Sequence, residues 1–206
     1  MRQCAARALP RHGAWKTFPM GFHHIAFATR DSEATHHFYS ELMGFTLVKT
    51  NVSPTPGPQG GWSKHFFYDT SSATGGEPGS GMIAFWEIHD PAIGTEFEVD
   101  LNTHAGLPGW VNHYAFDSPT YEHLAARRDV WRAHGHTVVE VDHDFCISIY
   151  TKDPNGNMVE FCHTTRDFTP EERANAVAIL HDPAPAMEPH EATITVHPPL
   201  TADAPA

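Results

Sequence analysis

The sequence predicts an α+β fold built from two tandem βαβββ modules, and three observations support this prediction. Strand-like and helix-like stretches follow one another in the order βαβββ, and the same order then repeats. The two halves also begin with similar letters, because H-I-A-F at His24 corresponds to H-Y-A-F at His113. The last two strands are joined by D-P-N-G at residues 153–156, where proline presets φ and Asn-Gly tolerates a positive φ. We expect the two modules, each with a curved sheet, to enclose a cleft.

The first module covers residues from about 22 to 88. Its first strand, F-H-H-I-A-F-A-T, alternates in hydrophobicity and is rich in aromatic residues. Asp31 or Ser32 is suited to cap a helix that runs to about Met43 and ends at Gly44. Three further strands, separated by glycine-rich loops, are predicted at residues 44–50, 63–70 and 81–88.

The second module covers residues from about 110 to 164, after a connection at residues 89–108. Its helix is predicted at Pro119–His134, where apolar residues recur on one side and Gly135 stops the pattern. Its strands are predicted at residues 109–118, 136–142, 145–152 and 157–163.

The chain is predicted to extend beyond the paired modules, which span residues 22–164, at both ends. Residues 1–21 are predicted to form a poorly ordered basic arm, without an apolar run long enough for a signal peptide. Residues 165–206 begin with a short helix that has Thr169 as N-cap and Glu172 at the capping-box position. The remaining tail is rich in proline and alanine, has A-T-I-T-V as its strand-like stretch, and is predicted to wrap the domain or stay disordered.

The composition argues against several classes of partner. The net charge of −12 argues against binding to nucleic acid or to an anionic membrane surface. No segment has the length and apolarity of a membrane span. Three cysteines cannot form a complete set of pairs, which favours a reducing compartment and a cytoplasmic location.

The stretch from Val141 to Glu160 carries the strongest functional signal. It resembles the ring-cleavage motif of extradiol dioxygenases, in which a small residue, a histidine, an apolar residue and a tyrosine precede Asp-Pro-x-Gly and a glutamate. Those enzymes belong to the vicinal oxygen chelate superfamily, together with glyoxalase I and the fosfomycin- and bleomycin-resistance proteins. The resemblance covers about residues 22–164 and implies the duplicated fold. The fixed positions are filled by Val141, His143, Ile149, Tyr150, Asp153, Pro154, Gly156 and Glu160.

The resemblance implies that His24, His113 and Glu160 are metal ligands. His24 and His113 occupy equivalent places in the first strand of each module, and strand alternation puts His23 on the opposite face from His24. Two imidazoles and one carboxylate leave coordination positions open for substrate and O₂, which suits non-haem Fe(II). Mn, Zn, Ni and Co are the alternative metals.

Glyoxalase-type members of the superfamily use a further glutamate ligand on the last strand of the first module. Aligning Gly81 with Gly156 puts Phe85 opposite Glu160, so three protein ligands are predicted. Glu87 lies two residues further along the same face and becomes a candidate ligand if this register is wrong.

Two further residues of the motif have roles that the resemblance implies. His143 is expected to hydrogen-bond the bound oxygen species and Tyr150 to contact a substrate oxygen, which suits an imidazole and a phenol. The family enzymes also carry an acid–base histidine on the last strand of the preceding module. In the register above that position holds Gly81, so His65, or else His89, is the candidate for the role.

The leading hypothesis is an Fe(II)-dependent extradiol-type dioxygenase, an oxidoreductase that opens a catechol-like ring and incorporates both atoms of O₂. Its partners are then a small aromatic diol and O₂. Phe85 is predicted to contact the substrate, although a β-core uses the same residue type. Two alternatives stay open: a glyoxalase- or epimerase-like metal isomerase or lyase, and a non-enzymatic drug-binding resistance protein. The sequence leaves the oligomeric state open, although superfamily members often pair or exchange modules.

Overall fold

The computed structural model of the 206-residue chain describes residues 22–79, 81–187 and 189–200. The predicted arm at residues 1–21 lies outside the described residues. The described residues form two sheets, of four and five strands, with helices between the strands. This is the α+β fold that the repeated βαβββ order predicts.

The first module consists of β1 (His24–Thr29), α1 (Ser32–His37), β2 (Thr46–Pro54), β3 (Trp62–Asp69), α2 (Ser71–Thr74) and β4 (Met82–His89). Its strand order is β1-β4-β3-β2, and only the pairing of β1 with β4 is parallel. Asp31 caps α1 by accepting a hydrogen bond from the backbone N–H of Ala34 at 2.9 Å, because a short polar side chain satisfies a free donor of the first turn. A π-helical turn over Phe38–Leu42 then continues α1.

The second module repeats this arrangement with α3 (Leu101–Ala105), β5 (His113–Asp117), α4 (Tyr121–Ala133), β6 (Val138–Asp142), β7 (Cys146–Lys152) and β8 (Met158–Thr164). Its strands lie in the order β5-β8-β7-β6, with β5 and β8 parallel. The two modules therefore have the same topology, as the similar letters at His24 and His113 predict. The short helices α2 and α3 were not predicted, because each is too short to show a helical period.

The C-terminal part of the described chain is attached to the second module. Helix α5 (Pro170–His181) begins with the predicted capping box between Thr169 and Glu172. The strand-like stretch A-T-I-T-V forms β9 (Thr193–His197), which pairs antiparallel with β6 as the fifth strand of the second sheet. The described part of the tail therefore wraps onto the domain.

The two modules contact each other through apolar side chains on one face of each sheet. Phe27 of β1 stacks on Tyr114 of β5 with ring centroids 4.7 Å apart. Phe45 packs edge-on against Phe116 of β5 at 4.8 Å. The opposite face of each sheet does not take part in these contacts, and it carries His24, His65 and His113.

A buried carboxylate connects the first module to the hairpin turn of the second. Asp153 accepts hydrogen bonds from the hydroxyls of Tyr39 and Tyr114, each at 3.0 Å. It also accepts hydrogen bonds from the backbone N–H groups of Asn155 and Asn157, each at 2.9 Å. Burial raises the pKa of Asp153, and these donors oppose the rise. The aspartate of the D-P-N-G turn thus has a structural role in joining the two halves.

The strand pairing corrects the predicted register by one residue. In the second module His113 pairs with Met158, and Glu160 lies two residues after that methionine. In the first module His24 pairs with Met82, so the residue that corresponds to Glu160 is Ala84 rather than Phe85. The prediction failed because one more residue separates the turn glycine from the strand in the second module. The side chain of alanine cannot ligate a metal, so the corrected register likewise places no carboxylate at this position. The pairs that establish the register are His24 with Met82 and His113 with Met158.

The same shift changes the position of Phe85, which was predicted to contact substrate. Its side chain is fully buried and packs against Tyr39 at 4.6 Å and Phe66 at 5.9 Å between ring centroids. Because successive side chains of a strand point to opposite faces, Phe85 faces the core while Ala84 faces the other way. The predicted substrate-binding role of Phe85 does not agree with this position.

Candidate active site

Three of the predicted site residues lie on one face of the second sheet. Tyr150 of β7 is directly opposite Glu160 of β8, so their side chains share a face of the antiparallel pair. In the parallel pair, Glu160 is opposite Ala115, two residues after His113 on β5. His113 and Glu160 are therefore on the same face, because side chains alternate along a strand.

The closest contact of this group joins His113 to Glu160. The Nε2 atom of His113 lies 3.2 Å from Oε2 of Glu160, whose side chain is almost fully buried. The Nδ1 atom of His113 lies 3.0 Å from the carbonyl oxygen of Trp110 and 3.3 Å from that of Val111. Carbonyl oxygens only accept hydrogen bonds, so Nδ1 carries the proton.

This arrangement fits a metal ion. With Nδ1 protonated, a neutral His113 directs the lone pair of Nε2 at the Glu160 carboxylate, and two acceptors face each other at 3.2 Å. Only a cation or a second ring proton makes that contact favourable. Metal-ligating histidines characteristically donate their other N–H to a backbone carbonyl or a carboxylate, as His113 does. The donor set of one imidazole nitrogen and one carboxylate suits a divalent transition metal.

A tyrosine and a second histidine lie next to this pair. The hydroxyl of Tyr150 is 3.2 Å from Nε2 of His143, and the rings of Tyr150 and His113 are 6.1 Å apart. Burial raises the pKa of Tyr150 far above its ordinary value, and the charge of Glu160 adds to the rise. The phenol therefore stays protonated at physiological pH and remains a hydrogen-bond donor.

The structure does not bring His24 into this group. Its ring lies on the first sheet, 5.3 Å from Phe67 and 6.0 Å from His65 between centroids, and its Nδ1 is 2.8 Å from Nδ1 of His23. Within residues 22–79, 81–187 and 189–200, no three His, Cys, Asp or Glu side chains are grouped so as to hold a metal ion. The three predicted ligands are therefore not brought together within one chain, because the modules pack through the other face of each sheet.

His65, the candidate acid–base residue, lies beside His24 rather than beside His143. Its ring stacks on Trp86 at 3.7 Å between centroids. Its Nε2 is buried and has no hydrogen-bond partner among the described residues. Burial lowers the pKa of His65, and charge on His24 lowers it further, so the imidazole is neutral at physiological pH.

Glu87 and His89, the other candidates of the first module, are engaged on the opposite face. The carboxylate of Glu87 lies 2.9 Å from Nζ of Lys64 and 2.6 Å from Nε2 of His89. The His89 ring also stacks on Trp62 at 3.9 Å. Neither side chain is on the face of β4 that carries Trp86, which is the face of His24 and His65.

A largely apolar cavity of about 700 Å³ adjoins the group around His113. This volume is within the usual range for small-molecule sites. Among its lining residues, site roles were predicted only for His113, His143 and Tyr150, although Val141 also fills a motif position. The alternation of Val139 and Val141 along a predicted strand was a usable signal for part of the rest. The other lining residues are Trp110, Thr137, Val139, Val141, Thr151, Lys152, Met158, Ala192 and Ile194.

The sequence places the chain in a family. The profile of the Glyoxalase/Bleomycin resistance protein/Dioxygenase superfamily matches residues 21–161, and the chain belongs to this superfamily. Its members include lyases, resistance proteins and dioxygenases. The search of proteins with curated functions gives no match. None of the helices in the described residues is long and apolar enough to cross a membrane.

The chain is also similar, at low sequence identity, to solved structures of proteins with different activities. A glyoxylase/bleomycin resistance protein/dioxygenase domain from Frankia sp. EAN1pec is 16% identical, with 70% of this chain and 98% of that chain covered and a TM-score of 0.48. Lactoylglutathione lyase from Agrobacterium tumefaciens is 18% identical, with coverages of 70% and 94% and a TM-score of 0.44. The fosfomycin resistance protein FosX from Listeria monocytogenes is 18% identical, with coverages of 76% and 99% and a TM-score of 0.47. At these identities and TM-scores the similarity gives no information about activity.

Proposed function

We propose that the protein is an Fe(II)-dependent extradiol-type dioxygenase that opens a catechol-like aromatic ring with O₂. The observation that carries the proposal is the contact between Nε2 of His113 and Oε2 of Glu160, beside the Tyr150 hydroxyl and an apolar cavity. The filled ring-cleavage motif from Val141 to Glu160 supports the same reaction. The cysteines in the described part of the chain, Cys146 and Cys162, are free thiols, which suits a reducing compartment, and we propose a cytoplasmic enzyme.

We propose that His113 and Glu160 hold the metal and that His24 of a second copy completes the site. The open face of each sheet is the face that does not pack against the other module. His24 is exposed on the open face of the first sheet, and His113 and Glu160 lie on the open face of the second. Modules of one chain already use the opposite faces for mutual packing. Pairing two copies with their open faces together would supply the third ligand, in keeping with a symmetric homodimer.

The bound metal would supply charge stabilisation and open positions for both the diol and O₂. The protein's own groups then bind and orient the substrate. The protonated Tyr150 donates a hydrogen bond to a substrate oxygen, and His143, 3.2 Å from that hydroxyl, accepts or returns a proton. In the paired assembly, His65 would enter the site with His24. Its neutral imidazole and unpartnered Nε2 suit a base that removes a proton from the diol.

The experiment that tests this proposal is O₂ consumption by protein loaded with Fe(II) without air. A panel of catechols with different ring substituents is supplied, and O₂ uptake and the absorbance of the ring-opened product are recorded together. Uptake with equal amounts of product supports the proposal. Fully loaded protein that consumes no O₂ with any catechol contradicts it.

A second candidate function is ligand binding without catalysis, as in a resistance protein. The largely apolar cavity favours it, since such a cavity binds an aromatic drug with or without a metal. Metal-free protein that binds aromatic ligands, together with wild-type protein that takes up no metal, would establish this function. The lyase or isomerase alternative needs a further carboxylate ligand, and Glu87 is engaged by Lys64 and His89 on the opposite face.

A further inference from the structure

Strand β9 extends the site-bearing face of the second sheet by one strand beyond the βαβββ repeat. It pairs with β6, and in that ladder Ile194 is opposite Val141 and Val196 is opposite Val139. Val139 is in turn opposite Tyr150 on β7. Side chains opposite one another share a face, so the apolar surface continues from Tyr150 outward to β9.

The segment that carries β9 is fixed at its far end. The Nε of Arg132, on α4, donates a hydrogen bond to the carbonyl oxygen of Pro198 at 2.9 Å. The backbone N–H of Leu200 donates to the carbonyl oxygen of Arg132 at 3.0 Å. Together with the five paired positions of β6 and β9, these bonds make β9 a wall of the sheet rather than a loose tail.

The cavity beside His113 is longer than a single aromatic ring. Two of its lining residues, His113 on β5 and Ile194 on β9, are four inter-strand steps apart, or about 19 Å at the usual spacing. A diol ring held at His113 and Glu160 would fill only the inner part. The outer part is lined by Val139, Val141 and Ile194.

We propose that β9 determines substrate specificity and that the substrate carries an uncharged apolar substituent which lies along Val139, Val141 and Ile194. This inference rests on the proposed function only for the identity of the ring that binds near the metal. The wall made by β9 acts on any ligand that fills the cavity. The chemical class is therefore a ring with an alkyl or aryl extension of several carbon atoms, rather than an unsubstituted or charged ring.

The test measures binding of 4-alkylphenols, from 4-methylphenol to 4-butylphenol, to the full-length protein by calorimetry. We expect affinity to rise by up to about fourfold for each added methylene group, because each one leaves water for the apolar wall. Ile194→Trp fills the outer cavity and should abolish this rise while changing 4-methylphenol affinity less than about twofold. Thr195→Trp, on the other face of the same strand, is the matched control and should keep the rise. Ile194 is exposed, so both variants are expected to fold, and their thermal unfolding is compared with that of the wild type.

Two outcomes overturn the inference: affinity that does not increase with chain length in the wild-type protein, or an equal increase in the wild type and in Ile194→Trp. Failure of the whole series to bind counts as the first. The same proteins are assayed for O₂ uptake with 4-alkylcatechols. Chain-length-dependent binding without O₂ uptake leaves the role of β9 intact and contradicts only the proposed function. O₂ uptake that is unaffected by chain length and by Ile194→Trp contradicts only the role of β9.

Discussion

His113 and Glu160 form a contact of 3.2 Å between Nε2 and Oε2, and this contact is favourable only with a bound cation or a second proton on the His113 ring. The backbone carbonyl of Trp110 fixes the ring proton on Nδ1, so that Nε2 presents a lone pair to a buried carboxylate. The two side chains reach this position from parallel neighbouring strands, which hold them rigidly. The pair is therefore suited to hold the divalent metal that we propose.

The composite site predicts complementation between inactive variants. His24→Ala and His113→Ala should each abolish O₂ uptake, because each removes one ligand from every site. Co-refolding equal amounts should restore about a quarter of wild-type activity, since half of the dimers are mixed and each mixed dimer has one intact site. Mixing His113→Ala with Glu160→Ala is the control and should restore nothing, because both ligands come from the same chain. Equal activity in the two mixtures would contradict the composite site.

Tyr150→Phe should lower kcat by about 100-fold or more, the usual effect of losing a positioned proton donor. The substitution removes only the hydroxyl that lies 3.2 Å from His143, so metal content should stay at the wild-type level. Steady-state O₂ uptake and metal analysis of the same preparation make the comparison. Wild-type turnover in the variant would show that the phenol has no role in the reaction.

Asp153→Ala should destabilise the protein by about 2–4 kcal/mol, because it leaves two buried phenols and two backbone N–H groups without their acceptor. Tyr39→Phe removes one of those hydrogen bonds and should cost about 1 kcal/mol. Urea unfolding of the three proteins measures both changes. A loss below about 1 kcal/mol in Asp153→Ala would contradict a structural role for this carboxylate.

Glu87 predicts a specific acid dependence of stability. Although burial opposes its ionisation, hydrogen bonds with Ser32, Lys64 and His89 lower the pKa of Glu87 to about 2. A group whose pKa is depressed on folding stabilises the native state above its unfolded pKa, and this stabilisation is lost as the pH falls toward the folded value. Glu87→Gln should therefore unfold with a weaker pH dependence between about pH 4.5 and 2. Identical acid unfolding curves for the variant and the wild type would contradict this effect.

Much of the fold was predictable from local patterns. The alternating strands, the caps at Asp31 and Thr169 and the letters shared by the two halves indicated the elements and their repetition. The register of β4 was not predictable from these patterns, because a single extra residue between the turn glycine and the strand moves every side chain to the other face. This is why Ala84, and not Phe85, corresponds to Glu160.

The site was predictable only in part, for a physical reason. Strand periodicity and the motif put His113, Tyr150 and Glu160 on one face of one sheet, and the structure agrees. Periodicity does not tell which faces of two sheets pack together, so the separation of His24 from that group was not predictable. The outer wall at Ile194 was missed because β9 and β6 are about fifty residues apart, and neither segment alone shows which strand it pairs with.

The most direct test of a metal centre at His113 and Glu160 is the metal content of protein purified without air, compared between the wild type, Glu160→Gln and Glu87→Gln. We expect close to one equivalent of Fe(II) per chain in the wild type and in Glu87→Gln. We expect at least about 100-fold weaker iron binding in Glu160→Gln, more than the effect of losing an outer-shell partner. Equal iron content in wild type and Glu160→Gln, or no metal in the wild type after iron loading, would contradict a metal centre at His113 and Glu160.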